Sequence, residues 1–202
     1  MKAGVLFSGG KDSSLAAILL SRDYCVELNT YVFHEDRPLP GVERAARALG
    51  IPWKVRVFSG LDISTVVDMV EKTGHPGEAI QMVHKKALQD LALHYRIIAD
   101  GTRFDDRIPM LSRDEAQALQ DTCRCSYIRP LLGFPRREVD RLAGQHLHIV
   151  IGETGKLENG DYEAEIREAV RASGKDIYRF FPPNHEQSLV LGTAKDEKVN
   201  CT

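Results

Sequence analysis

A short polar segment near the start of the chain carries residue types that bind phosphate. Residues 8–14 read Ser-Gly-Gly-Lys-Asp-Ser-Ser and lie between an apolar run at 3–7 and a helix-like stretch at 15–20. Two glycines let the backbone turn sharply and bring its N–H groups close to an anion, and the start of a helix adds partial positive charge. A lysine at this position neutralises charge that grows on a leaving phosphate group. The segment therefore predicts a loop that binds the phosphate tail of a nucleotide.

The spacing of this loop excludes the Walker A type. A Walker A loop has glycine six positions before its lysine and Ser or Thr directly after it, whereas Val5 and Asp12 stand at those positions in this chain. A carboxylate inside a phosphate loop repels phosphate unless a divalent cation lies between them. Asp12 therefore indicates a bound metal ion. The alternative interpretation is a plain Gly-Gly turn with a polar helix cap.

The pattern resembles the PP-loop of the N-type ATP pyrophosphatases, within the adenine nucleotide alpha hydrolase-like (HUP) proteins. The resemblance implies ATP as substrate, with the bond between the α and β phosphates broken and pyrophosphate released. AMP is placed on a carbonyl or carboxyl oxygen of an acceptor, before nitrogen or sulfur transfer. The whole chain looks most like small archaeal-type PP-loop proteins described as candidate subunits of tRNA-thiolating enzymes.

A second candidate motif follows a predicted buried strand in the middle of the chain. Gly101 and Thr102 begin a turn that continues to Asp105 and Asp106. These residues resemble the second signature of the PP-loop family, in which an acidic residue faces magnesium and ATP. The resemblance implies Mg²⁺ held by Asp12 and Asp105, with phosphate and water oxygens completing its coordination. Asp106 is a further candidate, and the alternative is a surface turn held by the flanking arginines.

The two motifs together yield the predicted site. The residues predicted to be catalytic are Lys11, Asp12 and Asp105, of which Asp12 and Asp105 hold the metal. Phe33 enters by resemblance alone, because the family passes the end of its second strand along the adenine edge. The residues predicted to bind ATP are Ser8, Gly9, Gly10, Lys11, Ser13, Ser14, Phe33, Gly101 and Thr102.

Four further residues are candidates with competing interpretations. His84 and Lys85 lie on a predicted helix and either contact phosphate or belong to a solvated helix face. Cys123 and Cys125 form a C-x-C pair beside an arginine that would lower a thiol pKa, which suggests a sulfur carrier. Two non-catalytic cysteines in a loop are the alternative. Cys201 adds no spacing typical of a zinc ribbon or a disulfide framework.

Alternating strand and helix patterns predict an α/β architecture. Residues 25–33 and 53–58 alternate as strands, and residues 77–95 carry apolar side chains at helical spacing. The order is that of a doubly wound, mostly parallel sheet of about five strands with helices on both faces. Residues 1–202 are predicted to form a single PP-loop ATP-binding domain, with 145–202 as a C-terminal extension of uncertain role. Its final segment is either an edge strand or a lid over the nucleotide.

Composition narrows the classes of partner. A net charge of −2 argues against a stand-alone RNA binder, so tRNA would be reached through a partner subunit. Both a homo-oligomer and a hetero-oligomer are candidate assemblies. The longest apolar run, about six residues, is too short for a membrane span or a secretory signal, and a cytoplasmic location is expected. The leading hypothesis is an adenylating enzyme with an unknown acceptor. The alternatives are a non-catalytic nucleotide-binding regulatory subunit and the ATPase subunit of a tRNA sulfurtransferase.

Overall fold

The computed structural model describes residues 1–154, 156–182 and 185–194 of the chain. Its strands, in chain order, are β1 (Lys2–Leu6), β2 (Cys25–Val32), β3 (Trp53–Val57), β4 (Ile97–Ala99), β5 (Ser126–Ile128), β6 (Leu147–Glu153) and β7 (Glu186–Thr193). Its α-helices are α1 (Lys11–Leu20), α2 (Pro40–Leu49), α3 (Ile63–Thr73), α4 (Gly77–Ala92), α5 (Arg113–Cys123), α6 (Arg136–His146) and α7 (Tyr162–Ala172). A short 3₁₀ turn spans Ile177–Arg179.

Five parallel strands form the main sheet in the order β3-β2-β1-β4-β5. Val5 of β1 lies opposite Leu28 of β2 on one side and Ala99 of β4 on the other. The chain winds in one direction from β1 to β3 and then returns to the other side of β1. Ligands of open parallel sheets bind beyond the carboxyl ends of the strands at such a reversal. The predicted doubly wound α/β class is confirmed, and the reversal lies at β1 and β4.

Apolar side chains cover both faces of this sheet because successive residues of a strand point to opposite sides. Val5 packs with Ala46 of α2 and Ala143 of α6 on one face. Leu6, the next residue, packs with Val83 of α4 and other residues of α3, α5 and α7 on the opposite face. Two apolar layers therefore pack against β1 from both sides and position the loop that follows it.

The structure differs from the sequence-based expectation at the C-terminal end. The interpretation assigned no element to Leu147–Glu153, and it treated the last segment as an edge strand or a lid. Instead, β6 and β7 pair with each other as an antiparallel hairpin, separate from the main sheet. Val190 of β7 is fully buried in the same apolar cluster as α2, which explains why the hairpin packs on that side of the sheet.

The longest described helix, α4, has 16 residues and carries several charged side chains. Within the described ranges, no helix has both the length and the apolar character needed to cross a membrane.

Candidate functional site

The predicted phosphate loop leaves the carboxyl end of β1 and runs into the first turn of α1. Gly9 has a φ of +78°, a left-handed conformation that favours glycine, and Gly10 is the N-cap residue of α1. The Ser13 hydroxyl donates to the Gly10 carbonyl oxygen at 3.2 Å, and Ser8 Oγ accepts the Gly10 N–H at 3.3 Å. Ser14 is fully buried, and its hydroxyl has no hydrogen-bond partner among the described residues. The hydrogen bonds of Ser8 and Ser13 therefore stabilise the shape of the loop.

Lys11 and Asp12 form the charged part of the loop. Lys11 Nζ lies 3.1 Å from Asp12 Oδ1 and 3.4 Å from Asp140 Oδ1, and Arg103 Nη1 lies 3.6 Å from Asp12 Oδ2. Burial raises the pKa of Asp12, and the charges of Lys11 and Arg103 offset part of that rise. Asp12 Oδ1 is buried and accepts no hydrogen bond of good geometry from the described residues, although Lys11 Nζ is close. An oxygen of this kind fits a divalent cation.

The loops after β1 and β4 are in direct contact through Gly101. A Cβ atom at Gly101 would lie 2.7 Å from the Asp12 carbonyl carbon and 2.7 Å from the Ser13 backbone nitrogen. Any side chain would therefore push the two loops apart, so this approach requires glycine. The next residue, Thr102, donates its N–H to Asp100 Oδ1 at 2.9 Å, and this turn ends β4. The two motifs predicted from the sequence thus meet at one edge of the sheet.

Arg103 contacts three carboxylates at this edge. Its Nε donates to Asp106 Oδ1 at 3.1 Å and lies 3.7 Å from Asp105 Oδ1, in addition to the contact with Asp12. Asp105 Oδ2 accepts the N–H of Arg136 at the start of α6, which lowers the Asp105 pKa. Asp106 lines a cavity that Asp12 also lines. The structure therefore brings all three carboxylates to one arginine, with Asp106 nearer the cavity than its neighbour is.

Asp100, at the end of β4, is a buried residue that sequence analysis did not select. Its Oδ2 lies 2.9 Å from His84 Nε2 and accepts the Tyr127 hydroxyl at 2.5 Å. Burial alone would raise the pKa of Asp100, but hydrogen bonds from His84, Thr102 and Tyr127 keep that pKa below its usual value. An ionised carboxylate only accepts hydrogen bonds, so we assign a proton to His84 Nε2. An acidic residue at the end of a buried strand was the available sequence signal.

Residues of the C-terminal third contact the phosphate loop directly. The Lys11 N–H donates to Ser188 Oγ of β7 at 3.0 Å, and the Val190 N–H donates to the Gly9 carbonyl oxygen at 2.9 Å. The Gly160 N–H donates to the carbonyl oxygen of the first loop residue at 2.8 Å. The region predicted as an extension of uncertain role therefore forms part of the wall of the site.

Two cavities meet at the phosphate loop and share Ser8, Asp12 and Asp161 in their walls. The smaller has a volume of about 180 Å³, and the larger about 460 Å³. Aromatic and apolar side chains dominate the smaller cavity, whose wall includes Leu6, Phe7, Tyr31, Ile80, His84, Asp100 and Tyr162. Charged and polar side chains dominate the larger cavity, whose wall includes Lys11, Arg103, Arg136, Asp140, His185 and Ser188.

Phe33 and Lys85 have partners outside these two cavities. The Phe33 N–H donates to Glu165 Oε2 of α7 at 3.1 Å, and its ring packs against Phe58 with centroids 4.8 Å apart. Lys85 Nζ donates to Glu115 Oε1 at 3.2 Å, on the side of α4 that faces α5. Neither side chain lines the two cavities described above. The structure therefore does not bring them together with Lys11.

The cysteine pair lies near the amino ends of the strands, away from the loop after β1. Cys123 ends α5 and Cys125 directly precedes β5, so both are at the amino end of a strand whose carboxyl end faces the phosphate loop. Cys125 is buried, and burial raises its thiol pKa, which opposes formation of a thiolate. Cys201 lies outside the described residues.

A parallel sheet of this order, with a glycine-rich loop after its first strand, defines a doubly wound α/β protein. The U34-tRNA thiolase NcsA from Methanococcus maripaludis, solved with its [4Fe-4S] cluster, shares this fold with a TM-score of 0.52. The two are 22% identical, and the match covers 71% of this chain and 56% of the thiolase.

The chain belongs to DUF7411, a family of unknown function whose model matches residues 1–192. The uncharacterized protein MJ0690 of Methanocaldococcus jannaschii is 39% identical over 197 residues, which cover 97% of this chain and 98% of that protein. A crystal structure described as a predicted subunit of tRNA methyltransferase, also from Methanocaldococcus jannaschii, is 39% identical with a TM-score of 0.85. That match covers 96% of this chain and 98% of the solved chain.

Proposed function

We propose that this protein binds Mg-ATP at the phosphate loop and places AMP on a carbonyl or carboxyl oxygen of an acceptor, with release of pyrophosphate. A nitrogen or sulfur nucleophile then displaces AMP from the activated acceptor. The observation that carries this proposal is the position of Lys11 and Asp12 at the first turn of α1, where two cavities of different lining meet. A reaction between a nucleotide and a second molecule needs two adjoining sites of this kind.

The smaller cavity suits the nucleoside of ATP. Tyr31 and Tyr162 supply aromatic surface, against which a base can pack. Tyr31 Oη is buried without a hydrogen-bond partner among the described residues, and the His84 ring lines the same cavity. A nucleoside offers both donors and acceptors to such groups. Burial raises the pKa of Tyr31 well above its usual value, so its hydroxyl keeps its proton and can donate.

The phosphates would lie over the start of α1, toward the larger cavity. Lys11 offsets the charge that grows on pyrophosphate as it leaves, and the helix N-terminus adds partial positive charge. Arg103 and Arg136 add two more cations to the wall of this cavity. Mg²⁺, held by Asp12 and by Asp105 or Asp106, would supply Lewis-acid stabilisation of the phosphates. The acceptor would enter from the remaining space of the larger cavity.

Calorimetric titration of the full chain with Mg-ATP tests the proposal. We expect wild type to bind, and Lys11→Ala to bind about 10- to 100-fold more weakly, because a hydrogen bond to a charged group is lost. Lys72→Ala is the matched control, since Lys72 is an exposed lysine at the end of α3 and should bind like wild type. Wild type that binds no Mg-ATP, or Lys11→Ala that binds equally well, would refute the proposal.

A second candidate function is that of a nucleotide-binding subunit in a tRNA-modifying complex. It is favoured by the 39% identical solved structure described as a predicted subunit of tRNA methyltransferase. A net charge of −2 leaves tRNA binding to the partner protein. Copurification with a tagged chain, together with comparison of tRNA nucleosides in a deletion strain, tests this role. Because Cys125 is buried with a raised pKa, Cys125→Ser should leave any modification unchanged.

A further inference from the structure

We infer that Ser188 of β7 is a phosphate-binding residue, which donates its hydroxyl proton to the pyrophosphate part of the nucleotide. The inference rests on the proposed function of the phosphate loop. It adds a ligand contact from the C-terminal hairpin, 177 residues away from Lys11 in the chain.

The backbone of β7 lies directly on the phosphate loop. Besides the bond from the Lys11 N–H to Ser188 Oγ, the Val190 N–H donates to the Gly9 carbonyl oxygen at 2.9 Å. A Cβ atom at Gly9 would lie 3.2 Å from Leu189 Cδ1, so little free space separates strand and loop. The position of Ser188 relative to the loop is thus set by its own bond to Lys11 and by contacts of the two residues that follow it.

The protons of this contact can be assigned. A serine hydroxyl has one proton to donate and two lone pairs to accept. Ser188 Oγ accepts from the Lys11 N–H, so its own proton points to another acceptor. No described residue accepts that proton, and Ser188 lines the larger cavity together with Lys11, Arg103 and Arg136. An anion in this cavity would therefore meet the Ser188 O–H together with these three cations, in a wall that also carries the carboxylates of Asp12, Asp140, Asp161 and Glu186.

The loop's own serines do not offer such a donor. Ser13 donates its proton to the Gly10 carbonyl oxygen, and the Ser8 and Ser13 hydroxyl oxygens lie 3.3 Å apart as partners of each other. Ser14 is 0% exposed. Ser188 therefore supplies the outward-facing hydroxyl that Ser8, Ser13 and Ser14 lack.

The direction of the hydrogen bonds indicates the chemical class of the ligand group. The amide N–H of Lys11 donates to the Ser188 hydroxyl, which polarises the O–H and makes it a stronger donor. Such a donor gains most from a charged acceptor. Phosphate oxygens at the start of α1 are charged acceptors of this kind. A nucleoside in the smaller cavity is uncharged, and Ser188 does not line that cavity.

Calorimetric titration with Mg-ATP, magnesium pyrophosphate and AMP tests the inference. We expect Ser188→Ala to weaken binding of Mg-ATP and pyrophosphate about 10- to 100-fold and to leave AMP binding nearly unchanged, because one charge-assisted hydrogen bond is lost. Ser188→Thr keeps the hydroxyl and should bind pyrophosphate like wild type. Ser173→Ala is the matched control, because its hydroxyl only bonds the Val170 carbonyl oxygen at the end of α7.

Each outcome separates the inference from the proposed function. If wild type binds Mg-ATP and Ser188→Ala binds it equally well, the role of Ser188 is refuted and the proposed function stands. Equal losses for AMP and pyrophosphate, or an equal loss in Ser188→Thr, would also refute it. Wild type that binds none of the three ligands refutes both. Thermal unfolding of each variant shows whether a loss of binding reflects a loss of folded protein.

Discussion

Replacing Gly101 with alanine tests whether the two motifs form one site. The new Cβ atom would lie 2.7 Å from backbone atoms of Asp12 and Ser13, whereas carbon atoms pack best at about 3.5–4.0 Å. The shortfall is about 1 Å, and the neighbours are backbone atoms that cannot rotate away. Gly101 does not have a positive φ, so alanine adopts its backbone conformation without strain. The predicted effect therefore comes from the contact alone.

Overpacking of this kind costs about 1–3 kcal/mol, and the reduced freedom of the unfolded chain returns about 0.4–1 kcal/mol. We expect Gly101→Ala to lower the free energy of unfolding by about 1–2 kcal/mol in urea titrations. Because the relief of the clash moves the first turn of α1, we also expect weaker binding of Mg-ATP in calorimetry.

Gly133→Ala is the matched control for this change. A Cβ atom at Gly133 would meet nothing within 4 Å, and Gly133 also lacks a positive φ. We expect this variant to be as stable as wild type or slightly more stable. If Gly101→Ala equals Gly133→Ala in both stability and Mg-ATP binding, the close contact between the two loops is refuted.

Two further predictions concern ionisable groups that have hydrogen-bonded partners. Asp100→Asn should lower the free energy of unfolding by about 3 kcal/mol in urea, because an amide has one acceptor oxygen and cannot accept from His84 and Tyr127 at one position and from the Thr102 N–H at the other, as the carboxylate does. The hydrogen bond to Glu163 raises the pKa of His185, so their ion pair stabilises the fold fully below pH 6.5, the unfolded value, and this stabilisation is lost as pH rises through the folded pKa. Thermal unfolding of His185→Gln should therefore show a smaller decrease in stability above pH 6.5 than wild type does.

Each of these two predictions has a result that would contradict it. Asp100→Asn with wild-type stability would mean that the carboxylate is not the shared acceptor of its neighbours. A His185→Gln profile parallel to that of wild type above pH 6.5 would mean that the ion pair with Glu163 does not form in solution.

The main sheet was predictable because its signals are local. Apolar alternation and helical spacing extend over 10–20 residues of chain, and they indicate each element and the alternation of strand and helix. The end of β4 at Ala99 was not predictable in the same way, since the strand ends where the Asp100 side chain accepts the Thr102 N–H. The pairing of β6 with β7 joins segments more than 30 residues apart, and no local pattern specifies such a partner.

The residues of the candidate site also differ in whether local sequence could predict them. Lys11 and Asp12 were evident because spacing within seven residues distinguishes this loop from a Walker A loop. Asp100 was not evident, because its role depends on His84 and Tyr127, which lie 16 and 27 residues away.

Local sequence was thus sufficient for the parallel sheet, and it carries the predictions that the loop after β1 binds phosphate and that a carboxylate stands beside it. Only the tertiary structure showed that β7 lies on the loop and that Ser188 accepts the Lys11 N–H from 177 residues away. The physical reason is that turns and helix starts depend on neighbouring residues, whereas such a contact depends on how the apolar faces of distant elements pack. Val190 is buried beside α2, and this packing places Ser188 at the phosphate loop.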